Sequence, residues 1–101
     1  MPKFSNRIMS SLTVLLSNLV FIKWEPKCNT DIHDHNGKNC KFIVLNGALH
    51  EARYKEKYLG SLYSNKCIEP LTSTTIKPED GYHQVFNHDD RVKYSIHRYY
   101  D

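Results

Sequence analysis

Short runs in which apolar and polar residues alternate dominate the chain and predict strands rather than helices. The runs are rich in β-branched and aromatic residues and are separated by residues that favour turns. The predicted strands cover residues 18–24, 40–45, 48–54, 60–64, 66–76, 82–87 and 91–100. One segment, residues 8–17, is compatible with a helix, although its serine and threonine content disfavours one.

Turn signals between these runs complete the fold prediction. Asn46-Gly47 joins two runs and favours a type I′ hairpin, because both central positions of that turn need a positive φ. Residues 77–81 and 87–90 also have turn composition. We therefore expect an all-β fold, a β-sandwich or small β-barrel that can hold one small ligand.

Length and charge limit the remaining possibilities. A chain of 101 residues without repeats or linkers predicts a single domain over residues 1–101, with an N-terminal segment (1–17) and a core barrel at about 18–100. The formal charge of +3 is spread along the sequence, so we expect no nucleic-acid partner. We expect a monomer.

The cysteines and the N-terminal segment bear on the compartment. Three cysteines without disulfide-type spacing favour a reducing environment. Lys3 and Arg7 followed by an apolar stretch resemble a signal peptide, but no small-x-small cleavage site precedes Trp24. The stretch is also too short and interrupted to span a membrane. We therefore expect a cytoplasmic protein that does not bind membranes.

Histidines supply the first candidate chemistry. His33 and His35 alternate along extended backbone, so both side chains face the same way and form half of a site for Fe, Zn, Cu or Ni. His83 is a candidate third ligand from a neighbouring strand. The alternatives are an exposed histidine pair and a hydrogen-bonded, half-buried His83.

The last predicted strand places three polar side chains on one face. Ser95, His97 and Tyr99 alternate with apolar neighbours in residues 91–100. This face is either exposed to solvent, as is common in antiparallel strands, or forms a hydrogen-bonded row inside the barrel. The pattern leaves both possibilities open.

The order and spacing of these pieces are more specific than any one of them. The positions concerned are Trp24, His33, His35, Cys40, Gly47, Gly81, His83, Asn87, Ser95, His97 and Tyr99. In this arrangement the chain resembles the cysteine dioxygenases, which are thiol dioxygenases of the cupin superfamily. Cys40 stands where other cupins have an acidic residue, and this substitution marks the cysteine dioxygenases among them.

The resemblance implies a cupin-type β-barrel, or jelly roll, that oxidises L-cysteine with O2 to cysteine sulfinic acid. His33, His35 and His83 would be the ligands of one Fe(II) ion. Arg7 lies seventeen residues before Trp24, as does the arginine that holds the substrate carboxylate in this family.

Tyr99 would act on the substrate beside the iron, and a thioether cross-link between Cys40 and Tyr99 is implied. Ser95 and His97 would hydrogen-bond towards Tyr99. The chain departs from the family in having Lys27 where glycine is usual.

Two other interpretations remain. The first is a cupin that binds a metal or small ligand with weak or no catalysis. The second is a structural zinc site built from Cys28, His33, His35 and Cys40.

Overall fold

Strands with alternating burial account for nearly all regular structure in the computed structural model, which describes residues 11–16 and 18–101. In β2, for example, Val20, Ile22 and Trp24 are buried and the residues between them are half-buried. The strands are β1 (Ser11–Leu16), β2 (Leu19–Trp24), β3 (Asn39–Val44), β4 (Leu49–Tyr54), β5 (Leu62–Ile68), β6 (Ser73–Ile76), β7 (Tyr82–Phe86) and β8 (Lys93–Tyr100). Two short 3₁₀ turns, Leu59–Ser61 and Pro78–Asp80, complete the regular elements of this part of the chain.

The strands form two antiparallel sheets that share one core. The five-stranded sheet has the order β1-β2-β8-β3-β6, and the three-stranded sheet has the order β5-β4-β7. The core cluster combines Ile22, Trp24 and Phe42 of the larger sheet with Leu49 and Val85 of the smaller one. The predicted all-β, jelly-roll class is confirmed, in the form of two packed sheets rather than a closed barrel.

The helical alternative for residues 8–17 is wrong where the structure can test it. Ser11–Leu16 is a strand that pairs antiparallel with β2. The hydrogen-bonded partner strand thus overrides a weak local preference. Residues 8–10 and residue 17 lie outside the described residues.

The hairpin predicted at Asn46-Gly47 is also wrong. Strand β3 pairs with β6 and β8, whereas β4 pairs with β5 and β7, so this turn carries the chain from one sheet to the other. Gly47 has a φ of 68°, but Asn46 does not have the positive φ that a type I′ turn needs. The Asn46 side chain instead bonds to the Val92 carbonyl (3.1 Å) and accepts from the Tyr94 N–H (2.8 Å), which attaches the turn to the end of β8.

Residues 60–76 form two strands, but the break between them lies later in the chain than the prediction of strands at 60–64 and 66–76 placed it. One continuous strand, β5, runs over Leu62–Ile68, and the chain then turns through Leu71, whose φ is 61°, before β6. Among residues 11–16 and 18–101, no helix has the length and apolar character needed to cross a membrane.

Candidate metal centre

Three histidines converge where the segment between β2 and β3 lies against β7. His33 and His83 form an isolated antiparallel bridge, in which the His33 N–H donates to the His83 carbonyl (3.1 Å) and the His83 N–H donates to the His33 carbonyl (2.9 Å). This bridge fixes the segment between β2 and β3 against β7. A ring nitrogen of each of His33, His35 and His83 lies within 4.8 Å of the others. His35 lies outside the named strands, just before a turn at Asn36 and Gly37.

The hydrogen bonds of two rings assign the tautomers that a metal ligand needs. The His33 Nδ1 lies 2.9 Å from the Asp31 carbonyl, and the His83 Nδ1 lies 2.8 Å from a Glu51 carboxylate oxygen. Both partners are acceptors, so each Nδ1 carries the proton and each Nε2 has a free lone pair. These lone pairs are the donor atoms of a metal site.

The contact between His35 and His83 fits a site for a cation. Their Nε2 atoms are 3.3 Å apart. Two lone pairs facing at this distance repel, so without a metal the His35 Nε2 must carry a proton that it donates to His83. A cation between the rings would replace that proton, so the residues present fit a metal ion.

Burial keeps His33 and His35 neutral. Desolvation, with the positive charge that His83 would carry as a second cause, lowers the pKa of His33 from 6.5 to about 4. The same two causes and the neighbouring His33 lower the pKa of His35 to about 2. Neutral imidazole is the form that binds metal, so both rings have the charge state needed for binding at physiological pH.

Glu51 lies behind His83 and was not identified from the sequence. Its carboxylate is fully buried, and besides His83 it accepts a hydrogen bond from Arg53 Nε (3.0 Å). Burial opposes ionisation, but the hydrogen bonds and charges of His83 and Arg53 outweigh it and lower the pKa of Glu51 below 4.5. The signal in the sequence was that Glu51 shares the inward face of β4 with Leu49, which is also buried.

Cys40 and Tyr99 lie beside the histidine cluster. They are register partners on β3 and β8, and the rings of Tyr99 and His35 are 5.4 Å apart. Burial, with the charge of Glu51 as a second cause, raises the pKa of Cys40 from 9.0 to about 12. Burial and the neighbouring Cys40 also raise the pKa of Tyr99. Both groups are therefore protonated at neutral pH.

The Ser95, His97 and Tyr99 face points inward, which decides the alternative that the sequence left open. Ser95 and His97 are buried, and the His97 ring stacks on Phe42 at 4.6 Å. Trp24 Nε1–H donates to the Ser95 hydroxyl (2.7 Å), which is left to donate to His97 Nε2 (2.7 Å). The proton of His97 is therefore on Nδ1.

This hydrogen-bonded chain ends at Cys40 rather than at Tyr99. The His97 Nδ1 lies 4.0 Å from the Cys40 sulfur. The Tyr99 hydroxyl is buried and makes no hydrogen bond of ordinary geometry with the residues that the structure describes, although the Cys40 thiol is close enough to raise its pKa. The predicted hydrogen bond towards Tyr99 is therefore absent from the described structure. Burial, followed by the charges of His83 and His33, lowers the pKa of His97 to about 3, so this ring too is neutral.

Gly81 and Asn87, two of the positions on which the family resemblance rests, flank the strand that carries His83. Gly81 has a φ of 88°, and a Cβ at this position would lie 2.4 Å from the Tyr54 carbonyl oxygen. The buried Asn87 side chain donates to the backbone carbonyls of Trp24 (3.2 Å) and Arg91 (2.8 Å). Both ends of β7 are thus attached to neighbouring segments.

Lys27, which stands where glycine is usual in the family that the sequence resembles, has a φ of 64°. Glycine adopts this left-handed conformation without steric cost. The backbone conformation that favours glycine is therefore present although the residue differs.

A shallow depression of about 140 Å³ adjoins the cluster and is lined by His35, Asn36, Lys38 and Tyr99. Arg7, the predicted carboxylate ligand, lies outside the described residues.

The zinc interpretation is not supported by the described residues, because the histidine cluster includes neither Cys28 nor Cys40. Cys28 belongs to the apolar core instead.

Several solved structures are similar to this chain. They include an oxalate oxidase (TM-score 0.75, 16% identity, 96% of this chain and 53% of that chain covered). A sugar phosphate isomerase of the cupin superfamily from Silicibacter pomeroyi has a TM-score of 0.72 at 18% identity, with 91% of this chain and 59% of that chain covered. The cupin domain of Drosophila melanogaster CENP-C has a TM-score of 0.71 at 12% identity, with 97% and 74% covered.

At these identities the similarity shows the cupin fold alone. The chain spans about half the length of the oxalate oxidase, at 53%.

The family comparison is more specific. Residues 14–101 match the model of the family described as cysteine dioxygenase type I, and this segment contains the three histidines, Cys40 and Tyr99. The three-histidine cluster lies within the same segment, in a fold shared with cupins. This chain therefore belongs to the cysteine dioxygenase type I family.

Proposed function

We propose that the protein is an iron(II)-dependent thiol dioxygenase that oxidises L-cysteine with O2 to cysteine sulfinic acid. The observation that carries the proposal is the cluster of His33, His35 and His83 next to the opposed pair Cys40 and Tyr99. Membership of the cysteine dioxygenase type I family supports the choice of substrate.

The ligand set suits this reaction. Three neutral imidazoles leave a divalent ion with its full charge and with open coordination positions. When bound there, iron(II) would lower the pKa of the substrate thiol and activate O2 beside it. In the overall reaction, both oxygen atoms of O2 are transferred to the sulfur, and the thiol becomes a sulfinic acid.

The remaining residues have distinct roles in this proposal. The Tyr99 hydroxyl, buried and without a hydrogen bond of ordinary geometry in the described part of the chain, would donate a hydrogen bond to the substrate during the reaction. The depression formed by His35, Asn36, Lys38 and Tyr99 would admit the amino acid. Arg7 would hold the carboxylate in a bidentate interaction of two parallel hydrogen bonds, as the family resemblance implies.

Oxygen uptake tests this function directly. Protein loaded anaerobically with Fe(II) and then given cysteine and air should consume one O2 for each cysteine sulfinate formed. His83→Ala should abolish uptake, whereas His88→Ala, which removes an exposed histidine, should not. Stoichiometric metal binding without O2 consumption would instead support the alternative function, a cupin that binds metal without turnover.

A further inference from the structure

We propose that Glu51 is a positioning residue of the metal centre, which holds the Nδ1–H of His83 so that Nε2 faces the metal and donates to it more strongly. The inference rests on the proposed function only in requiring that the histidine cluster binds a divalent metal.

The first argument is the cost of placing Glu51 where it is. The side chain is 0% exposed, on the inward face of β4 where Leu49 also points. Burying a carboxylate is strongly unfavourable unless it is paired and hydrogen-bonded. A buried apolar residue would satisfy the fold at this position, so the carboxylate indicates a role that needs its charge or its acceptor oxygens.

The second argument is that the carboxylate is aimed at a ligand and held there. Arg53 and His83 are register partners of β4 and β7, and Glu51 is the inward residue two positions before Arg53. One Glu51 oxygen accepts from His83 Nδ1 at 2.8 Å, and the other accepts from Arg53 Nε at 3.0 Å. Arg53 in turn donates to Asp80 (3.3 Å) and to the Thr75 carbonyl (2.8 Å). Both carboxylate oxygens are therefore held by hydrogen bonds, which fix the orientation of the group.

The third argument concerns the difference between the ligands. The Nδ1 of His33 donates to the backbone carbonyl of Asp31 at 2.9 Å, and the partly exposed carboxylate of the same residue is more distant, at 3.7 Å. The Nδ1 of His83 donates directly to the buried Glu51 carboxylate at 2.8 Å. A negative acceptor increases the electron density on the opposite ring nitrogen more than a neutral acceptor does, and it disfavours the tautomer that cannot bind metal. His83 should therefore be a stronger donor than His33.

Metal affinity measured at neutral pH tests the inference without relying on activity. Co(II) and Zn(II) affinities are determined by competition with a chromophoric chelator for the wild-type chain, Glu51→Gln, Glu51→Leu and Glu56→Gln. Glu51→Gln keeps an acceptor but loses the charge, and it should weaken binding about 10- to 100-fold. Glu51→Leu should weaken binding further, whereas Glu56→Gln, which neutralises an exposed carboxylate, should leave the affinity unchanged.

Nitrogen-15 NMR of the histidine rings covers the case in which a Glu51 variant does not fold. In the metal-free wild-type chain His83 should be in the Nδ1–H tautomer, and Zn(II) should shift the Nε2 signal of His83 while Nδ1 keeps its proton. An Nε2–H tautomer of His83 in the wild-type chain would overturn the inference.

The outcomes also separate this inference from the proposed function. A wild-type chain that binds neither metal overturns both. A wild-type chain that binds metal, together with a folded Glu51→Gln variant of equal affinity, overturns the role of Glu51 alone.

Discussion

Cys40 and Tyr99 are directly opposed on the neighbouring antiparallel strands β3 and β8. Opposed residues on one face of such a pair have Cβ atoms about 4.5–5.5 Å apart, so the Cys40 sulfur can reach the Tyr99 ring. The Tyr99 ring also lies next to that of His35, one of the three candidate ligands. The fold thus brings a thiol and a phenol together at the proposed iron.

We predict a thioether bond between Cys40 and Tyr99 after aerobic turnover with Fe(II) and cysteine. The sulfur–carbon bond replaces one S–H and one ring C–H bond, and the two electrons and two protons pass to O2. Intact-mass spectrometry should show the loss of two hydrogen atoms in the wild-type chain and in Cys67→Ser, which changes an exposed thiol. Cys40→Ser and Tyr99→Phe should keep their full mass, and an unchanged wild-type mass after many turnovers would contradict the prediction.

Ser95→Ala should destabilise the protein by about 2–4 kcal/mol, because it leaves two buried groups without partners. The Ser95 hydroxyl accepts from Trp24 Nε1–H and lies 2.7 Å from His97 Nε2. Urea unfolding of the metal-free protein measures the loss. Ser73→Ala, which removes an exposed hydroxyl, is the control and should change the free energy of unfolding by no more than about 0.5 kcal/mol. Equal effects of the two variants would show that the buried hydrogen-bonded chain contributes little.

The metal-free protein should lose stability as the pH falls from about 6 to about 5. The pKa values of His33 and His97 are lowered from 6.5 to about 4 and about 3, so the unfolded chain binds protons in this range that the folded chain does not. Stability is therefore fully present above 6.5 and decreases by about 1.4 kcal/mol per pH unit for each such histidine. His97→Phe should reduce the slope by about that amount. A slope unchanged in this variant would show that His97 is protonated in the folded state.

The sequence predicted the site better than the connections around it. His33, His35 and His83 were identified because their spacing in the sequence matches that of a known family. This spacing can be recognised whether a histidine lies on a strand or in a loop. The Asn46-Gly47 hairpin failed because a turn preference does not determine whether the flanking strands enter the same sheet.

Glu51 shows why part of the site was not found. The alternation in β4 places Glu51 on the inward face, but an inward acid is unfavourable until its partners are known. Those partners are Arg53 on the same strand and His83, which follows 32 residues later and is brought close by sheet pairing. Pairing between distant strands is not encoded in any local pattern.

Gly81→Ala should lower the free energy of unfolding by on the order of 3 kcal/mol. The added Cβ would lie 2.4 Å from the Tyr54 carbonyl oxygen, and the φ of 88° is one that alanine rarely adopts. The start of β7 must then shift, and His83 shifts with it, so metal affinity should fall as well. Gly37→Ala is a matched control, because its φ is 81° but its Cβ would meet no atom within 4 Å. Equal destabilisation by both changes would assign the effect to φ alone rather than to the contact with Tyr54.

Two cations are candidates for holding the substrate carboxylate, and kinetics with two substrates separates them. Lys38 lines the depression, but its ammonium lies 2.9 Å from an Asp101 oxygen, which already offsets its charge. We therefore expect Arg7, whose guanidinium can hold a carboxylate through two parallel hydrogen bonds, to be the anchor. Arg7→Ala should lower kcat/KM for cysteine about tenfold or more, chiefly through KM, and should change it far less for cysteamine, which has no carboxylate. Lys38→Met should have a small and equal effect on both substrates, and a loss selective for cysteine in Lys38→Met but not in Arg7→Ala would assign the anchor to Lys38.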